Sequence, residues 1–269
     1  MGVEKSLVSV ICTVKNGEHT ISKTIDSVLN QTLKNFEFII VDDGSTDNTT
    51  SILKEYSLKD NRIKPIFTEG IGRSKALNVA VKSANTDYIA NIDADDLMHP
   101  DKLQIQYESI EHNPDYFLLS TTTEIIYENE NPNWAKIEDY GEINTVGNSI
   151  LFRNTISHPT VLMRKRILEE VGYYNEALSS QIDYELWLRA YTKGYKMGIL
   201  PYNLGAKRIH KNQSFENKKR IKYTFNSLKL QLKYIIKNPK FYLYIPIVLI
   251  TFCIAQLPFS LRTKIRNLL

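Results

Sequence analysis

The stretch Ile39–Thr50, IIVDDGSTDNTT, decides how the chain is read. Ile39, Ile40 and Val41 lead straight into two adjacent aspartates, then a glycine and a run of small polar residues. Repulsion and desolvation both disfavour two like charges side by side where a buried strand ends. A metal, a ligand or a solvated turn has to compensate them. The preceding run Phe36–Val41, FEFIIV, has the length and apolar character of a strand covered on both faces.

Outward from it, strands and helices alternate. Leu7–Val14, LVSVICTV, is a second buried strand. Ile21, Ile25, Val28 and Leu29 recur at helical spacing, as do Ile52, Leu53 and Tyr56, and then Leu77, Ala80, Val81 and Ala84. Arg62–Phe67, RIKPIF, reads as an edge strand because Pro65 lacks a donor. Asp87–Ile92, DYIANI, is a fourth strand that runs into Asp93, Ala94, Asp95 and Asp96. This alternation predicts an α/β fold with a mostly parallel, doubly wound sheet and helices on both faces. Ligands in such folds bind beyond the carboxyl ends of the strands. Two acidic clusters distant in sequence, Asp42–Asp43 and Asp93–Asp96, are therefore expected at one sheet edge. Further on, Tyr116–Tyr127 reads as a strand that bends, and 129–141 as an excursion loop. His158–Lys165, HPTVLMRK, is a short strand entering a helix, and Gln181–Gly194 a helix closed by Gly194.

Bulk composition limits the partners. The 269 residues carry a formal net charge of +4, which implies no nucleic-acid binding. Two cysteines far apart suit neither a metal site nor a disulfide framework, and a reducing cytosol fits. No signal peptide is expected, because the strand-like run starts by Leu7 with only Lys5 as a basic residue ahead of it.

At this point VSVICTVKNGE, QTLKNFEFIIVDDGSTDNT, GRSKALNVAVKSANTDYIANIDADD, HPTVLMRK and QIDYELWLRA resemble, in order, the successive blocks of family-2 glycosyltransferases with the GT-A fold, a Rossmann-like architecture. The resemblance covers roughly residues 7–210. It implies transfer of a sugar from a nucleotide-diphosphate donor, a UDP-sugar in particular, with inversion at the anomeric carbon. It places Thr13, Val14, Asn16 and Asp43 at the nucleotide base, Asp93 near the ribose or the metal, and Ala94 among the donor-binding residues. Arg73 and Lys75 lie near the diphosphate, or are solvated helix charges. Asp95 is the implied ligand of Mg²⁺ or Mn²⁺, hard cations that take oxygen ligands, with His210 approaching the metal or phosphates. Asp42 is left to cap the following turn. Asp183 is the implied base that takes the acceptor's proton. The family often has an acid before that position, and here Ile182 stands there. Glu185 is the rival, pointing off Asp183's face. His158 and Trp187 are placed on the acceptor side, with a purely structural role for His158 and core packing for Trp187 as equal alternatives. The Gln-x-x-Arg-Trp block of processive relatives is missing, so a single transfer to a glycan or lipid-linked acceptor in envelope polysaccharide synthesis is expected. A receiver domain would need an acceptor aspartate after the third strand. A nucleotidyltransferase would need a glycine-rich basic loop after the first. A non-catalytic nucleotide-sugar-binding module would leave Asp183 dispensable.

The last sixty residues change character. The reading divides the chain into a catalytic domain, 1–210, with a nucleotide-binding half of about 1–100 and an acceptor half of about 101–210, and a tail, 211–269. The tail pairs a basic amphipathic helix with the apolar run FYLYIPIVLITFCIAQLPF, Phe241–Phe259. That pattern suits peripheral attachment to an anionic membrane surface, at the cytoplasmic face of the plasma membrane. A soluble helical pair packed on the domain and a true span are the alternatives.

Overall fold

The computed structural model describes residues 5–127, 130–137, 141–209, 220–257 and 261. Strands β1 (Val8–Val14), β2 (Phe36–Asp43), β3 (Ile63–Thr68) and β4 (Tyr88–Asn91) alternate with helices α1 (Ile21–Leu29), α2 (Thr49–Lys59) and α3 (Arg73–Ser83). All eight residues of β2 are buried, as expected of a strand covered on both faces. The four strands pair in parallel in the order β3-β2-β1-β4, with Pro65 on the edge strand. Strand β5 (Leu97–Met98), helix α4 (Lys102–Glu111), strand β6 (Tyr116–Tyr127) and strand β7 (Asn144–Thr145) follow. Then come strand β8 (Leu162–Arg164) with α5 (Lys165–Val171), α6 (Ile182–Thr192), β9 (Lys196–Ile209), α7 (Arg220–Ile236) and α8 (Ile245–Gln256).

The second half extends the sheet through an antiparallel insertion. Strand β8 pairs antiparallel with both β4 and β6, so β6 runs in the same sense as β4. Strand β9 pairs in parallel with β6, and β5 closes that edge antiparallel to β9. The carboxyl end of β9 therefore lies at the same edge as the carboxyl ends of β1, β2 and β4. Sequence patterning assigns no element to Lys196–Ile209, which forms strand β9 although it contains Gly198, Pro201 and Gly205. The register shows why it survives: Thr121 pairs with Leu200 and Thr122 with Asn203, so Pro201 and Tyr202 sit in a bulge where no ladder donor is required.

Two apolar layers cover the sheet, one under α1 and α4, the other under α3, α5 and α6. The second layer also takes in Leu228, Leu230, Tyr234 and Ile235 of α7. Residue 210 thus marks a change of composition rather than a break in packing: α7 is part of the body of the domain.

Candidate active site

The two acidic clusters do meet at the carboxyl edge, and each solves the like-charge problem differently. Along β2 successive side chains point to opposite faces, so Asp42 and Asp43 diverge. Asp42 turns toward α2, accepting from the Ser45 amide at 3.0 Å and the Thr50 hydroxyl at 2.5 Å. Asp43 turns toward the loop before α3, accepting from Thr68 Oγ1 at 2.8 Å and from the Ile71 and Gly72 amides at 2.7 and 2.9 Å. Gly44, at φ +73°, lets these loops meet; a Cβ there would lie 2.8 Å from the Gly70 nitrogen. A carboxylate offers about four lone-pair sites, so Asp43 keeps roughly one to face a ligand.

Asn16, expected at the nucleotide, fastens loops as well. It has a left-handed φ of 55°, its Oδ1 accepts from the Thr46 amide at 2.8 Å, and its own amide donates to Ser45 Oγ at 2.8 Å. The Gly17 amide donates to Thr49 Oγ1, the Glu18 amide to Asp47 Oδ2, the Asn48 amide to Glu18 Oε2 and the Thr49 amide to Asp47 Oδ1. The loop after β1 and the loop after β2 form one wall. Thr13 and Val14 end β1 beside Val41 and Asp42, with Val14 buried.

In the second cluster Asp96 leaves the group. It is 4 % exposed and accepts from the Arg208 amide at 3.1 Å. Burial, with Asp93 and Asp95 as like-charged neighbours, pushes its carboxyl well above the ordinary value. Asp93 goes the other way. Burial alone would raise it, but Arg73, His158, Lys207 and a bond from Asn91 hold it below the usual carboxylate range. Arg73 Nη2 donates to its Oδ1 at 2.6 Å from the first turn of α3. Half of the Arg73 side chain remains exposed. Lys75, in the same turn, is exposed.

Beneath the acids lies a buried polar relay. Asn91 Nδ2 faces His158 Nδ1 at 3.0 Å, and His158 Nε2 faces the Tyr174 hydroxyl at 2.9 Å. A donor against Nδ1 assigns the ring proton to Nε2. Burial drives the His158 imidazole below its ordinary value in spite of Asp93 and Asp183 nearby. Burial raises the Tyr174 hydroxyl, and Asp183 adds to it. His158 is thus a support under the acidic floor, not a wall of the acceptor pocket. Trp187 needs the same correction. It is fully buried against Phe117 and His158, with ring centroids 6.5 and 6.2 Å away, and no sugar can stack on it. Helix α6 is buried almost all round, so a residue one turn after Asp183 enters the core.

Asp183 itself stands in the first turn of α6, half-buried, its Oδ2 accepting from Asn154 Nδ2 at 3.0 Å. It is close enough to act electrostatically on Arg73, His158 and Tyr174, so the topology brings it to the cluster around Asp93. Glu185, the rival, is 2 % exposed and held by Arg189 at 2.9 Å and by Tyr234. It faces α7, as its helical position implies. Asn154, Asn91 and Tyr174 are parts of the site that motif reading did not single out. Only Asn91 carried a signal, an amide inside an apolar strand.

Among the described residues no three Asp, Glu, His or Cys side chains converge into a ready-made metal cage. Small hard cations do not require one; one or two carboxylates plus substrate phosphates are the usual set. Asp93 and Asp95, half-buried in the turn after β4 with Ala94 between them, fit that pattern, whereas Asp96 is turned inward. His210 lies outside the described residues, though β9 carries the chain to this edge.

Residues 9–172 match the model of Glycosyl transferase family 2. The chain is a family 2 glycosyltransferase. An uncharacterized glycosyltransferase of Methanocaldococcus jannaschii is 34% identical to it over 237 residues, 86% of this chain and 81% of that one. The O-antigen biosynthesis glycosyltransferase WbnJ of Escherichia coli is 36% identical over 185 residues, 68% of this chain and 71% of its own. The crystal structure of S. aureus TarS 1-349 in complex with UDP superposes with a TM-score of 0.65 at 22% identity. The match covers 86% of the transferase, which spans 66% of that fragment. The UDP-GlcNAc complex of TarS 1-349 gives 0.68 at 21%, over 86% of this chain and 67% of that one. These likenesses establish the GT-A fold.

Proposed function

We propose that the transferase moves a single sugar from a UDP-sugar to a hydroxyl of a glycan or lipid-linked acceptor, with inversion, in envelope polysaccharide biosynthesis. One observation carries the reading: Asp183 opens α6 beside the Asp93–Arg73 pair, setting one carboxylate across from the acidic turn. WbnJ by its name and TarS by its bound UDP and UDP-GlcNAc point to the same chemistry.

In an inverting displacement the acceptor oxygen attacks the anomeric carbon from the face opposite the leaving diphosphate. Asp183 takes the hydroxyl proton as the new bond forms, and the bond to the diphosphate oxygen breaks. Asn154 fixes the angle of that carboxylate. Arg73 keeps Asp93 ionised and has enough exposed side chain to meet a phosphate as well. Asp95, with Asp93 beside it, would hold Mg²⁺ or Mn²⁺, which offsets the negative charge of the departing diphosphate. Asp43 shapes the base pocket chiefly by clamping the Thr68–Gly72 loop.

The test is donor turnover across a panel of UDP-sugars with Mn²⁺, using the parent, Asp183→Asn and Asp95→Ala. Removing a general base costs about 10²–10⁴-fold, so Asp183→Asn is expected to lose that much while still binding UDP. Parent-like turnover in both variants would overturn the mechanism. Thermal shift across nucleotide sugars identifies the donor, because a ligand of the folded state raises its stability by mass action.

A further inference from the structure

Helices α7 and α8, joined by a 3-10 turn at Pro239–Tyr244, form a hairpin with two unlike sides. One side is buried: Leu228, Leu230, Tyr234 and Ile235 enter the core of the domain, and Val248 follows them. The other side leaves Tyr242, Leu243, Ile247, Leu249 and Ile250 exposed, Leu243 by 86 %. By length and composition Pro239–Gln256 reaches the range of a membrane span, with a mean hydropathy of 1.4, yet only 11% of it is buried. A core helix of that composition would be mostly covered. Charge is equally one-sided. Between Asn217 and Leu269 stand eleven Lys and Arg and no Asp or Glu. Lys229, Lys233, Lys237 and Lys240 are exposed along the hairpin.

We propose that this hairpin is a docking face for the anionic leaflet of a lipid bilayer. Its apolar side enters the acyl boundary and its lysines meet the headgroups. Charge complementarity selects this occupant. A second copy of the chain would bring the same cations against the first, and like charges disfavour that contact. The hairpin lies on the surface rather than crossing it. Gln256, at the end of α8, donates to Thr224 Oγ1 at 2.9 Å, and Phe252 meets Phe225 with ring centroids 6.4 Å apart. Helix α8 therefore runs back along α7, which is itself packed on the body; a span would have to tear both contacts apart.

The hairpin also reaches the chemistry. Gln181 Nε2 donates to the Tyr223 carbonyl at 2.8 Å and to Ser227 Oγ at 2.6 Å, and Gln231 donates to the Tyr184 hydroxyl at 3.0 Å. These bonds flank Asp183 in the chain, so the docking hairpin is tied to the turn that carries the base. On the proposed transferase function, on which this step rests, the acceptor is borne by lipid.

The experiment is co-sedimentation of the full chain with vesicles of phosphatidylcholine alone, or with about a quarter phosphatidylglycerol. Binding is expected only with the anionic vesicles, weakening in high salt. It should fall about tenfold in Lys237→Glu/Lys240→Glu and at least as far in Leu243→Asp/Ile250→Asp. All four side chains are exposed, and unchanged melting of the variants verifies folding. Equal binding to both vesicle types, no binding to either, or parent-like binding of Leu243→Asp/Ile250→Asp overturns the proposal. So does a dimer in light scattering that this last variant dissolves, since the face then belongs to a second copy. None of these readouts uses sugar transfer, so failure here is distinct from failure of the transferase mechanism.

Discussion

Asp183 owes its orientation to one side chain, Asn154, which comes from a loop with no regular structure. A neutral hydrogen bond is worth about 0.5–1.5 kcal/mol, or roughly two- to tenfold in rate when it acts only on the transition state. Asn154→Ala is accordingly expected to lower kcat by about that factor and leave KM for the donor unchanged. Steady-state kinetics decide it, and an unchanged kcat removes Asn154 from the machinery. A second residue is unusual without touching the site. Lys102 is fully buried in the first turn of α4, and among the described residues its ammonium has no hydrogen-bond partner. The positive end of the helix dipole adds to the mismatch. Burial drives its pKa from an ordinary 10.5 down to about 7. Between those values the unfolded chain holds a proton that the folded chain lacks. Folding is therefore penalised progressively as pH falls through that window, and the penalty stays constant below it. Lys102→Met should raise Tm by several degrees at about pH 6 and distinctly less at about pH 9.5, as calorimetry at the two pH values would show.

Among the elements, loops and helix ends are held by single side chains. Asp43 accepts three bonds from the loop before α3. In Asp43→Asn an amide donor faces those donors, so the Ile71 and Gly72 amides should exchange with solvent about tenfold faster or more, measurable by NMR. Gln181 starts α6 in the left-handed region, φ 55°, while donating twice to α7. Gln181→Ala keeps the strain and loses the bonds, about 1–3 kcal/mol. Gln181→Gly loses the same bonds but relaxes the backbone, and should fall between Ala and the parent in urea denaturation. The first three strand–helix units were legible because each strand is an unbroken apolar run and each helix keeps a 3.6-residue stripe. The acids were legible because topology alone places strand ends together. Strand β9 was not: its bulge at Pro201 and Tyr202 depends on pairing with Thr121 and Thr122 of β6, far earlier in the chain. The fates of His158 and Trp187 were hidden for a similar reason. Which way a residue faces after a short strand or a first helical turn is set by packing between segments distant in sequence.

The molecule as a whole does not end where its family resemblance ends. Leu228, Leu230, Tyr234 and Ile235 bury themselves against α6 and the sheet, and each such side chain contributes about 1.5–3 kcal/mol. Ending the chain after Asn217 should lower Tm by about 10 °C or more, followed by circular dichroism, and release of the hairpin as a harmless appendage would contradict this packing. Truncation is for the same reason a poor probe of the lipid-facing surface, and the exposed point variants are the better one. The cysteines offer a direct handle on that surface. Cys12 is fully buried in β1, and burial, with Asp93 and Asp95 nearby, raises its thiol well above the ordinary range. Cys253 is exposed on α8. Thiolate, not thiol, is the reacting species, so a maleimide dye should label Cys253 alone in the unmutated protein. The chain thus carries its own single attachment point for an environment-sensitive fluorophore, placed on the helix whose surroundings are in question.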